Sequence, residues 1–158
     1  MSKQGDVALL NDPLAQELLQ STIPARLAYV CPDGSPRVVP IWFHWTGEEL
    51  VFGSPPGAPK LDMLRDNPQV AITIDTVEWP YKVLMIRGSA EIEMVDGVVP
   101  EYALSAERYF GEEAGKGWTQ QMGGMFSEMG RISVRPEWVG IMDFEQRFPK
   151  AIAEAMSG

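Results

Sequence analysis

The chain has a single cysteine and a single histidine among its 158 residues. Cys31 therefore has no partner for an internal disulfide. Lying between Val30 and Pro32 with no histidine nearby to activate it, it reads as a structural or incidental thiol rather than a nucleophile. His44 alone cannot build a multi-histidine metal centre, and no carboxylate pair stands beside it at ligand spacing, so no metal site is expected. It lies in an apolar stretch and reads as a packed or hydrogen-bonded strand residue. A substrate contact is the other role open to an imidazole that titrates near ~6.5. No apolar run approaches the ~20 residues needed to span a membrane. The opening "MSKQGDVALLNDP" lacks the apolar segment of a signal peptide. The expected location is cytoplasmic, without a membrane partner. The G-x-S-x-G elbow, the P-loop and the Rossmann glycine fingerprint are all missing, which leaves hydrolase, kinase and NAD-fold readings without support.

Positive charge is also scarce. Thirteen Lys and Arg face twenty-two Asp and Glu, for a net charge of −9. That balance argues against nucleic acid and anionic membranes as partners. An anionic ligand must therefore be held by a few placed groups rather than by a broad basic field.

What is present is an ordinary globular composition, 45% hydrophobic and 22% charged, at a length that fits one domain over residues 1–158. Asp12-Pro13 makes an N-cap and first helical position, and Leu14, Leu18 and Leu19 give the apolar face of a short helix. "ARLAYV" (Ala25–Val30) and "RVVPIWFHW" (Arg37–Trp45) flank the "PDGSP" turn and predict a hairpin. The second of these strands is apolar almost throughout from Val38 to Trp45, which predicts cover on both faces. Pro40 within it removes a backbone donor and suggests an edge, a bulge or a non-strand neighbour. Further strands are expected at Glu49–Gly53, Gln69–Asp75, Tyr81–Met94 and Arg131–Phe144, the last as one strand or as two short ones divided at Pro136, with a bulge or bend at Gly88. Val99–Phe110 and Pro149–Met156 read as helices. Gly111–Gly130 reads as helical or irregular, with Met122, Met125 and Met129 on one helical face and a mobile lid as the alternative. Six short strands joined by turns predict a mainly β, α+β chain: an antiparallel barrel with a few flanking helices.

The stretch "FGSPPGAPKLDMLRDN" (Phe52–Asn67) holds the clearest chemical signal. It brings together the hydroxyl of Ser54, backbone N–H groups at Gly57 and Ala58, the cation of Lys60 and the start of a helix, whose dipole favours an anion. By itself this is either a phosphate grip or an ordinary loop. In order along the chain, "VVPIWF", "ELVFGS", the lysine turn, "KLDMLRDNP", "QVAITID" and the strand with its "RG" bend resemble the pyridoxamine 5'-phosphate oxidase-like split-barrel family. The likeness covers roughly Ala25–Met94. It is echoed in "ERYFG" (Glu107–Gly111) and "RPEWVGIMDF" (Arg135–Phe144), and lysine followed by a helix ending in "RDNP" is its most specific element.

The resemblance implies a six-stranded split β-barrel and a homodimer, with FMN or a deazaflavin (coenzyme F-420) in a groove between the subunits and a small-molecule substrate. It implies that Ser54 and Lys60 contact the cofactor phosphate. Val39, Pro40, Ile41 and Trp42 would lie along the ring, and Trp79 and Tyr81 would reach it from the second subunit, unless they only pack at the interface. The expected activity is an FMN-dependent oxidoreductase. The alternatives are an F-420-dependent reductase and a non-catalytic protein that binds or stores flavin or haem. No side chain stands out as a catalytic acid or base. One departure from the family is plain: relatives often carry Arg or Ser just before the lysine, where this chain reads "PPGAP".

Overall fold

The computed structural model describes residues 2–158. After a 3-10 turn at Val7–Asn11, the order is α1 (Pro13–Leu19), β1 (Ala25–Val30), β2 (Pro36–Ile41), β3 (His44–Trp45), β4 (Leu50–Ser54), α2 (Pro59–Asp66), β5 (Gln69–Asp75), β6 (Val83–Asp96), α3 (Pro100–Phe110), α4 (Glu112–Met125), β7 (Glu128–Met142) and α5 (Lys150–Ser157). Helix α1 starts where its cap places it: the Asp12 carboxylate accepts the Leu14 N–H at 2.9 Å, and Pro13 needs no partner at the first position.

All seven strands form one antiparallel sheet in the order β2-β1-β5-β6-β7-β4-β3. Laid flat, its outermost strands would stand roughly 29 Å apart, six spacings of about 4.8 Å. Yet those strands, β2 and β3, are joined by Trp42 and Phe43 alone. The three Cα steps from Ile41 to His44 reach at most about 11 Å. The sheet must therefore curl until its two free edges approach each other at this linker. The inward residues meet in one core: Leu27 of β1, Leu50 and Phe52 of β4, Ile72 and Ile74 of β5, Leu84 and Ile86 of β6, and Val134 and Ile141 of β7. At the bend, the register of β6 on β7 shifts between Arg87 and Gly88. A Cβ on Gly88 would fall 3.0 Å from Val134 Cγ1 and closer still to the Arg135 carbonyl, so only glycine lets the strands touch there.

Several expectations are corrected. The sheet has seven strands, not six, because the run Arg37–Trp45 is broken at Trp42–Phe43 into β2 and β3. Nor is that run covered on both faces within the chain. β2 is an edge strand, as Pro40 suggested, and Val38 is 64% exposed. The last strand is single and begins earlier than expected, taking in Met129. Met122 and Met129 are therefore buried from different elements, while Met125 on α4 is exposed. The remainder of Gly111–Gly130 is mostly the ordered helix α4.

Candidate functional site

Helix α2 closes the end of the curled sheet at which β1 turns into β2. Leu61 and Leu64 insert into the core, and the Met63 sulfur lies 3.6 Å from Cys31 at the hairpin turn. Burial of two leucines, roughly 1.5–3 kcal/mol each, fixes the first turn of α2 over the end of β4. Leu61 packs against Gly130, the ladder partner of Ser54. On β4, Ser54 points the same way as Leu50 and Phe52, so its side chain lies under this turn. Its hydroxyl is fully buried and has no hydrogen-bond partner among the described residues. An unpaired buried hydroxyl costs roughly 1–3 kcal/mol and calls for an explanation.

Lys60 stands at the second position of α2, half-buried, and forms no ion pair among the described residues. Burial alone holds its ammonium below the usual lysine range. Ala58 gives the helix start no side-chain cap. Gly57 reaches the preceding turn with φ +81°, a conformation that suits glycine. The Ala58 N–H is not free as the sequence suggested: it donates to the Pro55 carbonyl at 3.3 Å. An orphan hydroxyl, an unpaired lysine and an uncapped helix start together fit an anionic group such as a phosphate.

Arg65 does not add to this charge, because it is bound to Asp62 at 3.0 Å. Arg37, at the hairpin end of β2, forms no ion pair among the described residues and is a second cation at this end of the sheet. It immediately precedes the apolar run of β2, the sequence signal by which it could have been singled out.

Along β2, Val39 and Ile41 turn inward against the core, while Val38 and Pro40 face out. Val38 continues a row across the outer face through Ala28, Ala71, Arg87 and Trp138, where the Arg87 guanidinium lies 4.0 Å from the indole. Among the described residues no helix covers this face, and Val38, Ala71 and Arg87 are exposed on it. A groove of about 410 Å³ runs over it, lined by Ala28, Val30, Pro36, Ala71, Arg87 and Ser89 among others. Trp42 is committed elsewhere: its indole stacks on Tyr109 at 5.1 Å and is ringed by Tyr102, Phe110 and Trp118. His44 faces α3. Its Nδ1 is buried without a partner among the described residues, and burial, then the charge of Arg108, hold it below its usual range against the opposing pull of Glu101.

Trp79 and Tyr81 are not brought to Lys60. α2 leads into the start of β5, and Trp79 follows its end, about 20 Å away along a strand of this length. The two rings meet at 5.2 Å and join Phe144, while Trp79 remains 66% exposed. Beside them lies a cleft of about 940 Å³, reaching from α1 to the β5–β6 loop. The Arg26–Asp75 and Lys82–Glu17 pairs neutralise part of its wall, at 2.8 and 2.9 Å. Volume and the anion-fitting groups thus occupy opposite ends of one chain.

A sequence profile described as pyridoxamine 5'-phosphate oxidase matches residues 12–143, the whole sheet and all of the Ser54–Lys60 turn. The chain belongs to the pyridoxamine 5'-phosphate oxidase family. Among solved structures similar to this family member is an F420 reductase, 30% identical, covering 79% of this chain and 94% of that one with a TM-score of 0.61. A conserved hypothetical protein from Mycobacterium tuberculosis is 19% identical over 91% of each chain, TM-score 0.68. A FAD-binding protein from Mesorhizobium loti is 22% identical over 80% of this chain and 87% of its own, TM-score 0.53. The last two likenesses speak to the fold alone. No curated protein matches the chain significantly. Among the described residues of this family member, no group of three or more His, Cys, Asp or Glu is placed to hold a metal ion, and no helix is long and apolar enough to cross a membrane.

Proposed function

We propose that the protein is a homodimeric flavin-dependent oxidoreductase that binds FMN at the Ser54–Lys60 turn. The observation that carries this reading is the pairing of a buried, unpartnered Ser54 hydroxyl with a half-buried lysine that has no carboxylate, at an uncapped helix start. In a member of this family those are the groups to receive a cofactor phosphate: Ser54 as a hydroxyl donor, Lys60 as a charge-assisted one. The backbone of Val39, Pro40 and Ile41 then lies alongside the ring, while the Trp42 side chain stays in its aromatic cluster. When bound, the ring accepts or donates hydride, and the protein supplies orientation and electrostatics. Trp79 and Tyr81, too distant in their own chain, reach the groove from the second subunit. The uncovered outer face of β2, β1 and β5 is where that subunit sits.

Coenzyme F-420 is the second reading, favoured by the 30% identical F420 reductase. Both cofactors carry a phosphate, so the turn serves either. F-420 adds a tail of carboxylates, and Arg37 is the unpaired cation at this end that could meet it. Against it stands the net charge of −9. The test is an absorption spectrum of the purified protein with mass analysis of any extracted chromophore, then titration of cofactor-free protein with FMN and with F-420 at low and high salt. Tighter FMN binding is expected. Tighter F-420 binding that weakens with salt transfers the assignment to F-420. Binding of neither cofactor removes the oxidoreductase reading.

A further inference from the structure

The curled sheet has a seam. Its free edges, β2 and β3, are not bonded to one another, and the chain crosses between them on Trp42 and Phe43 without strand pairing of its own. The proposed ring-lining segment runs straight into this unpaired linker, so something other than a ladder must set its course. The last turn of α3 does so. Arg108 donates from Nε to the Ser21 carbonyl at 3.0 Å and from a terminal nitrogen to the Phe43 carbonyl. Its guanidinium lies over the Phe43 ring at 4.9 Å and beside Tyr109 at 5.1 Å. The neighbouring Tyr109 hydroxyl donates to the Ile23 carbonyl at 3.2 Å, while its ring stacks on Trp42.

Arg108 has no carboxylate within ion-pair distance among the described residues. Its hydrogen-bond acceptors are two main-chain oxygens, one before β1 and one in the seam. A partly buried guanidinium without a counterion is costly, and an exposed surface site would not demand one. A planar fork that reaches two carbonyls at a fixed spacing gives geometry that an ammonium lacks. These residues belong to the "ERYFG" run, which the anion site leaves unused.

We infer that Arg108 is a positioning residue: by tying the Phe43 carbonyl to Ser21, it holds Ile41–His44 in the path that presents β2 to the cofactor. The inference rests on the cofactor reading above. It places Arg108 behind the segment rather than in contact with the cofactor.

The test compares the full-length protein with Arg108→Met, which keeps the stem, and Arg108→Lys, which keeps the charge but not the fork. Amide hydrogen exchange at Ile41, Trp42, Phe43 and His44 is measured without cofactor. Cofactor affinity and the absorption spectrum of the bound ring are measured with whichever of FMN or F-420 the wild type binds. Arg108→Met should raise exchange at these amides at least about tenfold while the β5 and β6 amides keep theirs, weaken the cofactor about tenfold and shift its spectrum. Arg108→Lys should recover the exchange protection only partly. If Arg108→Met is too unstable to purify, Arg108→Lys carries the test alone with the same readouts at smaller size. Unchanged exchange at the seam together with unchanged affinity and spectrum in a wild type that binds cofactor overturns the positioning role alone. So does faster exchange throughout the sheet, which means general destabilisation. A wild type that binds neither cofactor fails the cofactor reading, and the role of Arg108 toward the cofactor fails with it.

Discussion

Lys60 and Ser54 make opposite predictions for the free and the loaded protein, which is what sets a binding site apart from a structural one. Lys60→Ala should weaken FMN by more than tenfold, since a hydrogen bond to a charged group is worth roughly 1.5–3 kcal/mol, while leaving the fold intact. Titration by flavin fluorescence checks this; equal affinity makes Lys60 a surface lysine. Ser54→Ala removes a buried hydroxyl that has no partner. The cofactor-free protein should therefore keep or gain stability in urea, while FMN affinity falls.

The lysine also sets a pH dependence. Burial lowers its folded-state pKa, so the unfolded chain holds the proton longer as pH rises. In the alkaline window between the folded and unfolded values, the unfolded state binds more protons and the stability of the cofactor-free chain rises with pH. Phosphate affinity moves the other way: it is full below the folded value and falls as pH climbs through it, sooner than an exposed lysine would allow. Lys60→Met should abolish both trends. FMN titrations and urea melts across the alkaline range would show whether the two curves cross as stated.

Among the elements, the bend between β6 and β7 leaves no room for a side chain. Gly88→Ala pushes a methyl into the Arg135 carbonyl and Val134, and overpacking of this kind costs roughly 1–3 kcal/mol. A lowered urea midpoint with unchanged slope is the expected result. The bulge itself was readable, because a glycine inside a long alternating strand has few other uses. β1 and β5 were readable to the residue, since period-2 alternation ends there in proline, aspartate and glycine. The break in Arg37–Trp45 was not. Adjacent residues on extended backbone point to opposite sides, and Phe43 enters the core of the sheet while Trp42 enters the aromatic cluster of α3 and α4. Two apolar neighbours buried against different partners spell the same letters as one strand covered on both faces. The start of β7 was hidden for a related reason: a Gly- and Met-rich run supports helix or strand, and only β4 and β6 on either side decide it. Lys60 and Ser54 were visible because a Pro/Gly turn into a helix restricts what a lone lysine can do. Arg108 was not, because its acceptors are main-chain atoms 65 and 87 residues away.

At the scale of the molecule, the separation of Lys60 from Trp79 leads to a test of the dimer. If each groove takes Lys60 from one chain and Trp79 from the other, then Lys60→Ala and Trp79→Ala homodimers are both impaired. Mixed by unfolding and refolding together, they should recover tight FMN binding at one site in each heterodimer. No recovery on mixing means that both residues act within one chain or that Trp79 is uninvolved. If the protein is the proposed dimer, Val38→Lys on the exposed edge should turn it into monomer in sedimentation equilibrium. A wild type that is already monomeric at micromolar concentration removes the shared groove altogether.

The strand order has a consequence for how the chain is made. β4 is hydrophobic and wholly buried, yet its one neighbour besides the two-residue β3 is β7. At ordinary translation rates the ribosome reaches β7 roughly 4–15 s after it has finished β4. During that interval the nascent chain carries Leu50, Val51 and Phe52 with an unsatisfied strand edge, while β1, β2, β5 and β6 are able to pair. A chain truncated before Glu128 should consequently aggregate even though it contains Ser54 and Lys60, and the full-length protein should depend on chaperones most heavily just before its last strand emerges.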